Sequence, residues 1–561
     1  MENDFDAIVV GSGISGGWAA KELTERGLRV LMLDRGRMVR HGEDYPTEHQ
    51  APYEMKFRGL GDNRRNQIEY PGRSPSGNEG SSHFFANMRD HPYTTAPDRP
   101  FKWTRGNQVG GKSLMWARQS YRYAPINFEE NAIDGHGVDW PVRYSDIEPW
   151  YDRVEQFIGI SGSVLDYPTA PGGRYFQPPM PMNPLERDMQ ARMAKAFPDR
   201  PLTIARLANL TQPIGEDRQP CHYCGACDRG CSTGSYFSTQ SSTLPAAMAT
   251  KRLTVMADSI ATRILTDESG ERATGVEVMD AKTREKRTYS AKIVFVCASA
   301  LESVRLLLLS ANEKHPRGLG NSSGLVGKYI MDHLLSDFAM TTVAGPPMPH
   351  LTGGRPGALW MPRYRNIRGE KREDYVRGFQ CNAVVFNDDW QRGARTPGIG
   401  VDLKTKLRTT GDWHVLIGAL CEMLPSLGNQ VTLDTDVRDA WGQPVLRMDV
   451  AFGENDLAMR KAASDDMLTM MKAMGYKDVM MTPGRPIPGA QIHEMGGAVM
   501  GKDKRTSVLD GHNRCHDIPN LFVTDGAAMA SSSQSNPSLT YMAFTARAAA
   551  FAAGEFKAGR L

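Results

Sequence analysis

Cys221, Cys224, Cys227 and Cys231 lie in the stretch CHYCGACDRGC, which holds four of the chain's eight cysteines in eleven residues. The spacing C-x2-C-x2-C-x3-C is that of a ferredoxin-type iron–sulfur run, with Ser232 where a proline usually follows the last cysteine. Gly225, Ala226 and Gly230 are small enough to let the backbone wrap a cluster and offer N–H groups to its sulfurs. Zinc fits less well, because tetrahedral zinc usually joins two short cysteine knuckles across a longer loop. An empty run is the remaining alternative. Cys297, Cys381, Cys421 and Cys515 are scattered; Cys297 and Cys421 sit in apolar runs and read as buried free thiols.

A second constellation opens the chain. In DAIVVGSGISGGWAAKEL, Ala7 to Val10 read as a buried parallel strand. Gly11, Gly13 and Gly16 then give G-x-G-x-x-G, and a helix follows. Gly11 permits the tight turn, Gly13 lets backbone approach a pyrophosphate, and Gly16 allows the helix to pack closely on the strand. The helix N-terminus supplies free N–H groups for the anion. A second strand, LRVLMLDRG, ends at Asp34, where a carboxylate should hold a ribose hydroxyl and disfavour a 2′-phosphate. Strand, glycines, helix, strand and terminal acid together define a dinucleotide site.

The opposite end of the chain repeats part of this grammar. NLFVTDGAAMASSSQSNPSLTYMAFTARAAAFAA reads as a strand from Leu521 to Thr524, a small-residue loop, and a long helix from about Pro537. A cofactor clasped by both ends of one chain is long, which favours FAD over NAD.

The elements between these ends must form more than one core, since 561 residues exceed what one domain usually buries. Hydrophobic residues at 40% and charged residues at 23% are ordinary for a globular protein. A net charge of +3 on 67 basic and 64 acidic residues gives no reason to expect nucleic acid or an anionic membrane as partner. No apolar run is long enough for a transmembrane helix, and Met1 to Asp6 lead straight into a strand without an export signal.

Six segments, in order, resemble the glucose–methanol–choline (GMC) oxidoreductases, a family of FAD-dependent alcohol oxidases and dehydrogenases. Besides the first glycine unit, these are TRGNQVGGKSLMWARQSYR from Thr104, IVFVCASALESVRLLLLS, GLVGKYIMDH, PSLGNQVTLD, HEMGGAVMG, and VTDGAAMASSSQSNPSLT. The resemblance implies an α/β fold: a Rossmann-like FAD-binding domain with an interleaved α+β substrate domain on an antiparallel sheet. The expected flavin domain comprises residues 1–40, 100–125, 215–330 and 485–561, and the substrate domain 126–214 and 331–484. The Pro-, Gly- and Ser-rich stretch 41–99 is expected to be a lid or subunit-contact loop.

The resemblance also implies site residues. His493 matches the family's catalytic base and Asn536 its partner position. An imidazole suits that task, because the base must be uncharged and lie within about 3 Å of the hydroxyl. Around the cofactor it implies Gly11, Gly13, Gly16, Asp34 and Arg35 at one end, with Arg105 and Ala261. It implies Gly110, Gly111, Ser113 and Trp116 in the flavin loop, the first three through backbone N–H groups, and Asp525, Gly526, Asn536 and Ser538 near the C-terminus. Some family members attach FAD through a histidine before the tryptophan of this loop. Met115 occupies that place, so FAD is expected to be noncovalent. His512 and His516 read as solvated loop residues.

Some sugar dehydrogenases of the family carry a 3Fe–4S cluster on C-x5-C-x3-C, which Cys221, Cys227 and Cys231 match. Cys224 is then a bystander, or the fourth ligand of a 4Fe–4S cluster; the three-iron form is preferred. The implied activity is oxidation of a sugar or glycoside hydroxyl, most like glucoside 3-dehydrogenases, with electrons leaving to a cytochrome c-type protein or a dye. The alternatives are an oxygen-using oxidase without a cluster, and a non-catalytic metal-stabilised flavoprotein. The resemblance further implies the bacterial periplasm, reached through a small partner subunit carrying the export signal; the alternative is the cytoplasm.

Overall fold

The computed structural model describes residues 5–56, 68–69, 79–345, 354–388, 392–393, 396–409, 411–484 and 486–561. Residues 57–67 and 70–78 of the expected lid lie outside the described residues.

The two ends of the chain meet in one parallel sheet. Its strands run in the order Leu253–Met256, Val30–Leu33, Phe5–Val10, the C-terminal half of Lys286–Val296, and Leu521–Val523. All of the central positions are Val, Ile, Leu, Met, Phe or Ala and are buried, as expected where helices cover a parallel sheet. The register is the important feature. Val10 pairs with Leu33 on one side and Val296 on the other, and Val296 pairs with Val523. The strands therefore end together. Gly11, Asp34, Cys297 and Thr524 emerge side by side at their carboxyl ends, where open α/β sheets bind ligands.

The first helix, Ile14–Glu25, and the last, Ser538–Lys557, pack together on one face of this sheet. Their contact is lined by Ala19, Ala20, Ala548, Ala549, Ala552 and Ala553, all buried; alanine lets the helix surfaces approach closely. The N-terminal half of Lys286–Val296 bends away to pair antiparallel with Ala273–Asp280, which pairs with Ser259–Thr266.

A second, antiparallel sheet carries Met480–Thr482, Phe338–Val343, Trp413–Cys421, Phe379–Asn387, Leu359–Met361 and Thr203–Ile204, in that order. Phe379, Cys381, Ala383 and Val385 alternate toward a methionine-rich helix, Glu454–Ala473, whose Met459, Met467, Met470 and Met471 complete that core. Period-2 alternation puts Gln380, and Trp360 on the next strand, on the opposite face. That face looks toward the flavin domain.

Two segments differ from the expected division. The helix Tyr144–Ile158, assigned by sequence to the substrate domain, packs on the last helix, and the Tyr151 hydroxyl hydrogen-bonds Thr540 at 2.8 Å. The antiparallel pair Gln430–Arg438 and Pro444–Asp449 forms a separate small sheet against the helix Ala300–Leu309 of the flavin domain. Val431, Leu446 and Met448 are buried with that domain's core. Apolar–polar alternation along such strands does not say which core their apolar face seeks.

Candidate active site

A cavity of about 690 Å³ opens at the carboxyl ends of the parallel strands and runs to the loops carrying His493 and Asn536. That is within the range of roughly 300–1,000 Å³ usual for small-molecule sites. Gly11, Gly13, Asp34, Arg35, Arg105, Gly111, Ser113, Trp116, Ala261, Asp525, Gly526, Asn536 and Ser538 line it, together with His493.

The glycine turn fits a dinucleotide. Gly11 has φ +94°, and a Cβ there would overlap the Cys297 carbonyl. Gly13 faces open space, so its backbone is free for close approach by a ligand. Gly16 does not line the cavity; a Cβ there would overlap the Gly11 carbonyl, so it sets helix–strand packing. Asp34 accepts from the Ser12 hydroxyl and from the Gly36 N–H at 2.9 Å. Burial raises its carboxyl to about 6, against these hydrogen bonds and Arg35. The buried Arg35 Nε, Asn107 Oδ1 and His91 Nε2, all on residues lining the cavity, have no hydrogen-bond partner among the described residues. These are groups that a polar cofactor would satisfy.

The flavin loop corrects one expectation. The Gly110 N–H donates to Ser12 Oγ at 2.7 Å, the Gly111 N–H to the Gln108 carbonyl at 2.8 Å, and the Ser113 N–H to the Gly110 carbonyl at 3.0 Å. None of the three is left for a flavin, and Gly110 does not line the cavity. Ser12 takes the first of these, and the tight turns leading into and through the 3-10 segment Gly111–Leu114 take the other two. Lys112 instead reaches across to Glu494 at 2.7 Å.

His493 and Asn536 come together on the wall of the same cavity, Asn536 Nδ2 lying 3.2 Å from His493 Nε2. On the other edge of the ring, Nδ1 lies 2.9 Å from Nδ1 of His333, and His333 Nε2 lies 2.8 Å from the Ser533 carbonyl. Burial, then the neighbouring His333 and Lys112, push the His493 imidazole well below its usual pKa. The loop is held by Asp332, whose two carboxylate oxygens accept the backbone N–H groups of Gln491 and His493, both at 3.1 Å. Between them Ile492 has φ +64°, a conformation costly for a β-branched residue. Asp332, His333 and His493 present ligand-type atoms within 4.8 Å of one another. Both nitrogens of each imidazole are already engaged by protein, so the cluster is a hydrogen-bond network rather than a metal site.

Sequence reasoning did not single out Asp332, His333, Gln380, Ser12, Lys112 or Glu494. The Asp-His pair closing GLVGKYIMDH was the one available signal; Gln380 offered none. His512 and His516 are half-buried: His512 stacks on Phe551 with ring centroids 4.0 Å apart, and His516 Nε2 lies 3.0 Å from Ser507 Oγ.

The cysteine run lies beside the cavity. Cys227, with Gly225 and Asp228, lines it; Cys221, Cys224 and Cys231 lie farther out, and all four thiols are partly buried. Among the described residues no three of these sulfurs lie mutually within 4.8 Å. Tetrahedral zinc at 2.3 Å from each sulfur would hold them roughly 3.8 Å apart. Arg118 joins the run to the flavin loop: it donates to the Cys227 carbonyl at 2.8 Å and to the Trp116 carbonyl, and lies over the Tyr236 ring. Glu48 accepts from the Ser232 N–H at 2.7 Å, so residues 41–56 pack on the run's outer side.

A glycine-turn parallel sheet, a second antiparallel sheet and a histidine–asparagine pair lining the cavity at the parallel sheet's carboxyl end define a flavin-type alcohol oxidoreductase architecture. A family model described as GMC oxidoreductase matches residues 5–335, and another of the same description matches 425–545. The chain belongs to the GMC oxidoreductase family and is an FAD-dependent oxidoreductase acting on CH–OH groups. It is similar to the fructose dehydrogenase large subunit of Gluconobacter japonicus, 28% identical over 99% of this chain and 98% of that protein. The 2-methyl-1,2-propanediol dehydrogenase of Mycolicibacterium austroafricanum is 30% identical over 98% and 95%. A C-glycoside 3-oxidase of Arthrobacter globiformis is 25% identical over 52% and 51%. Among solved structures, a formate oxidase from Aspergillus oryzae shares the fold, with a TM-score of 0.63, 16% identity and 99% coverage of both chains.

Proposed function

We propose that the enzyme is a dehydrogenase that oxidises a secondary hydroxyl of a sugar or glycoside, the C3 hydroxyl of glucosides being the best candidate. The observation that carries the oxidation of a hydroxyl is the set of hydrogen-bond contacts around His493. A backbone carbonyl only accepts, so His333 donates through Nε2 to Ser533. Burial holds His333 down to about 4, so it is neutral and its Nδ1 carries a lone pair. That lone pair accepts the Nδ1–H of His493. His493 Nε2 is thereby left unprotonated, on the cavity wall, beside Asn536. It can take the proton of a substrate hydroxyl while Asn536 donates to the oxygen. FAD bound in the cavity supplies the hydride acceptor. Asp34 would hold the ribose and the Gly11–Ser15 turn the pyrophosphate.

A sugar donor is supported by the relatives named for fructose and C-glycosides. Cys221, Cys227 and Cys231, with or without Cys224, would hold an iron–sulfur cluster, which supplies one-electron transfer to an external acceptor. The position of Cys227 on the cavity wall supports this reading. A cytochrome c-type acceptor and export to the periplasm complete the proposal; its small partner subunit is supported by a relative named as a large subunit.

The test is glucoside-dependent reduction of a dye with oxygen uptake followed in parallel. Dye reduction without oxygen uptake is expected. Rapid oxygen uptake would favour the oxidase reading, and reaction only with small diols would remove the sugar. Iron and acid-labile sulfide in near-equal amounts, both lost in Cys227→Ser, are expected for the cluster; zinc without iron would defeat it. Activity confined to the cytosol of the native host would defeat periplasmic export.

A further inference from the structure

The hydrogen bonds around Asn536 continue into the substrate sheet. Trp360 Nε1 lies 2.9 Å from Gln380 Oε1, and Gln380 Nε2 lies 2.9 Å from Asn536 Oδ1. With the bonds to His493, His333 and Ser533, this makes an unbroken chain of six groups. Its two ends have fixed polarity. An indole N–H can only donate, and a carbonyl can only accept. Every amide and imidazole between them is therefore oriented in one sense. Trp360 donates to Gln380, Gln380 donates to the Asn536 oxygen, Asn536 donates to His493 Nε2, His493 donates to His333, and His333 donates to Ser533.

The anchor is rigid. Trp360 and Gln380 are 1% and 0% exposed. The Trp360 indole stacks on Tyr121 with centroids 4.3 Å apart, and the Arg206 guanidinium lies over its ring. The consequence falls on Asn536. Its oxygen is committed to Gln380, and one amide hydrogen rests on His493. The second has no protein partner among the described residues, and Asn536 lines the cavity. An asparagine free to flip could equally present its oxygen, which would repel a developing alkoxide and demand a proton on His493 Nε2.

We propose that Gln380, held by the Trp360 indole, is a positioning residue that keeps the Asn536 oxygen turned away from substrate and its amide hydrogens toward His493 Nε2 and the substrate oxygen. The proposal rests on the reading of His493 and Asn536 as the catalytic pair.

Gln380→Glu tests it, because an ionised carboxylate can accept from Trp360 but cannot donate to Asn536; a protonated one can. The holoenzyme carrying Gln380→Glu should be active at low pH and lose kcat/KM as the new carboxyl ionises, a limb absent from the wild type. Gln380→Met, which can do neither, should lose about tenfold or more in kcat at every pH, with FAD content unchanged. A substrate-independent readout is the imidazole nitrogen spectrum of [15N]histidine-labelled holoenzyme, with the His493 signals assigned by their loss in His493→Gln. The wild type should show an unprotonated Nε2, and ionised Gln380→Glu should show it protonated or exchanging. Wild-type pH profiles and an unchanged His493 spectrum in both Gln380 variants would overturn the proposal. The underlying reading fails separately, if His493→Ala and Asn536→Ala keep wild-type turnover.

Discussion

His493 and His333 meet edge to edge, Nδ1 to Nδ1 at 2.9 Å, with their rings nearly perpendicular at 88°. Two imidazoles can share that contact only if one carries the proton and the other does not. The Ser533 carbonyl decides which, by taking the proton-bearing nitrogen of His333. The proposed base is thus set in one tautomer by a second histidine, which does not line the cavity.

His333→Leu should therefore lower kcat by about 10²-fold, the scale of a compromised general base. His333→Gln should recover much of the loss, since its amide can accept from His493 and donate to Ser533. Steady-state kinetics of the two variants, with flavin absorbance to confirm cofactor content, make the comparison. Equal activity in both would remove tautomer selection from the mechanism.

Lys112 lies where its charge disfavours protonation of His493. Lys112→Met removes that charge and strips Glu494 of its partner. Both changes favour imidazolium, so the His493 pKa rises. The acid limb of kcat/KM should move to higher pH, and the enzyme should lose activity in mild acid that the wild type keeps. Lys112→Arg should leave the limb in place. A pH–rate profile reads both.

Asp332 has its carboxyl raised from 3.8 to about 7, by burial first and by Glu494 second, against the backbone hydrogen bonds it accepts. Folded protein thus binds a proton that the unfolded chain has lost between about pH 4 and 7. The contribution is fully present below the unfolded pKa and declines as pH rises through the folded one, at up to about 1.4 kcal/mol per pH unit. Asp332→Asn should flatten this part of the pH dependence in urea titrations at pH 5, 6 and 7. Its baseline should fall by about 1–3 kcal/mol, because Gln491 or His493 loses a backbone acceptor.

Met115 lines the cavity one residue before Trp116 and offers a thioether where an attaching imidazole would have to stand. Heat or acid precipitation should leave all the FAD in the supernatant. Yellow, fluorescent flavin remaining on the precipitated chain would show an attachment elsewhere.

Much of the dinucleotide end was legible because its constraints are local. Gly11 needs a left-handed turn, and a strand of buried Val and Ile must precede it; both are written within ten residues. The cysteine spacing and the HEMGG and SNPSLT segments are likewise local. The helix Tyr144–Ile158 and the strands Gln430–Arg438 and Pro444–Asp449 lie in stretches expected for the substrate domain but pack on helices of the flavin domain. An amphipathic pattern says that one face is buried, but not against what.

The sequence by itself determined the glycine turn, the strands that carry it, and His493 and Asn536 as chemically apt residues. It could not determine the protonation of His493. That depends on a carbonyl at position 533, a histidine at 333, a glutamine at 380 and a tryptophan at 360, which approach only when the two sheets pack around one cavity. Hydrogen-bond polarity is a property of the whole chain of donors and acceptors, so only the tertiary structure, by closing that chain between an indole and a carbonyl, decides which nitrogen is left free to accept a proton.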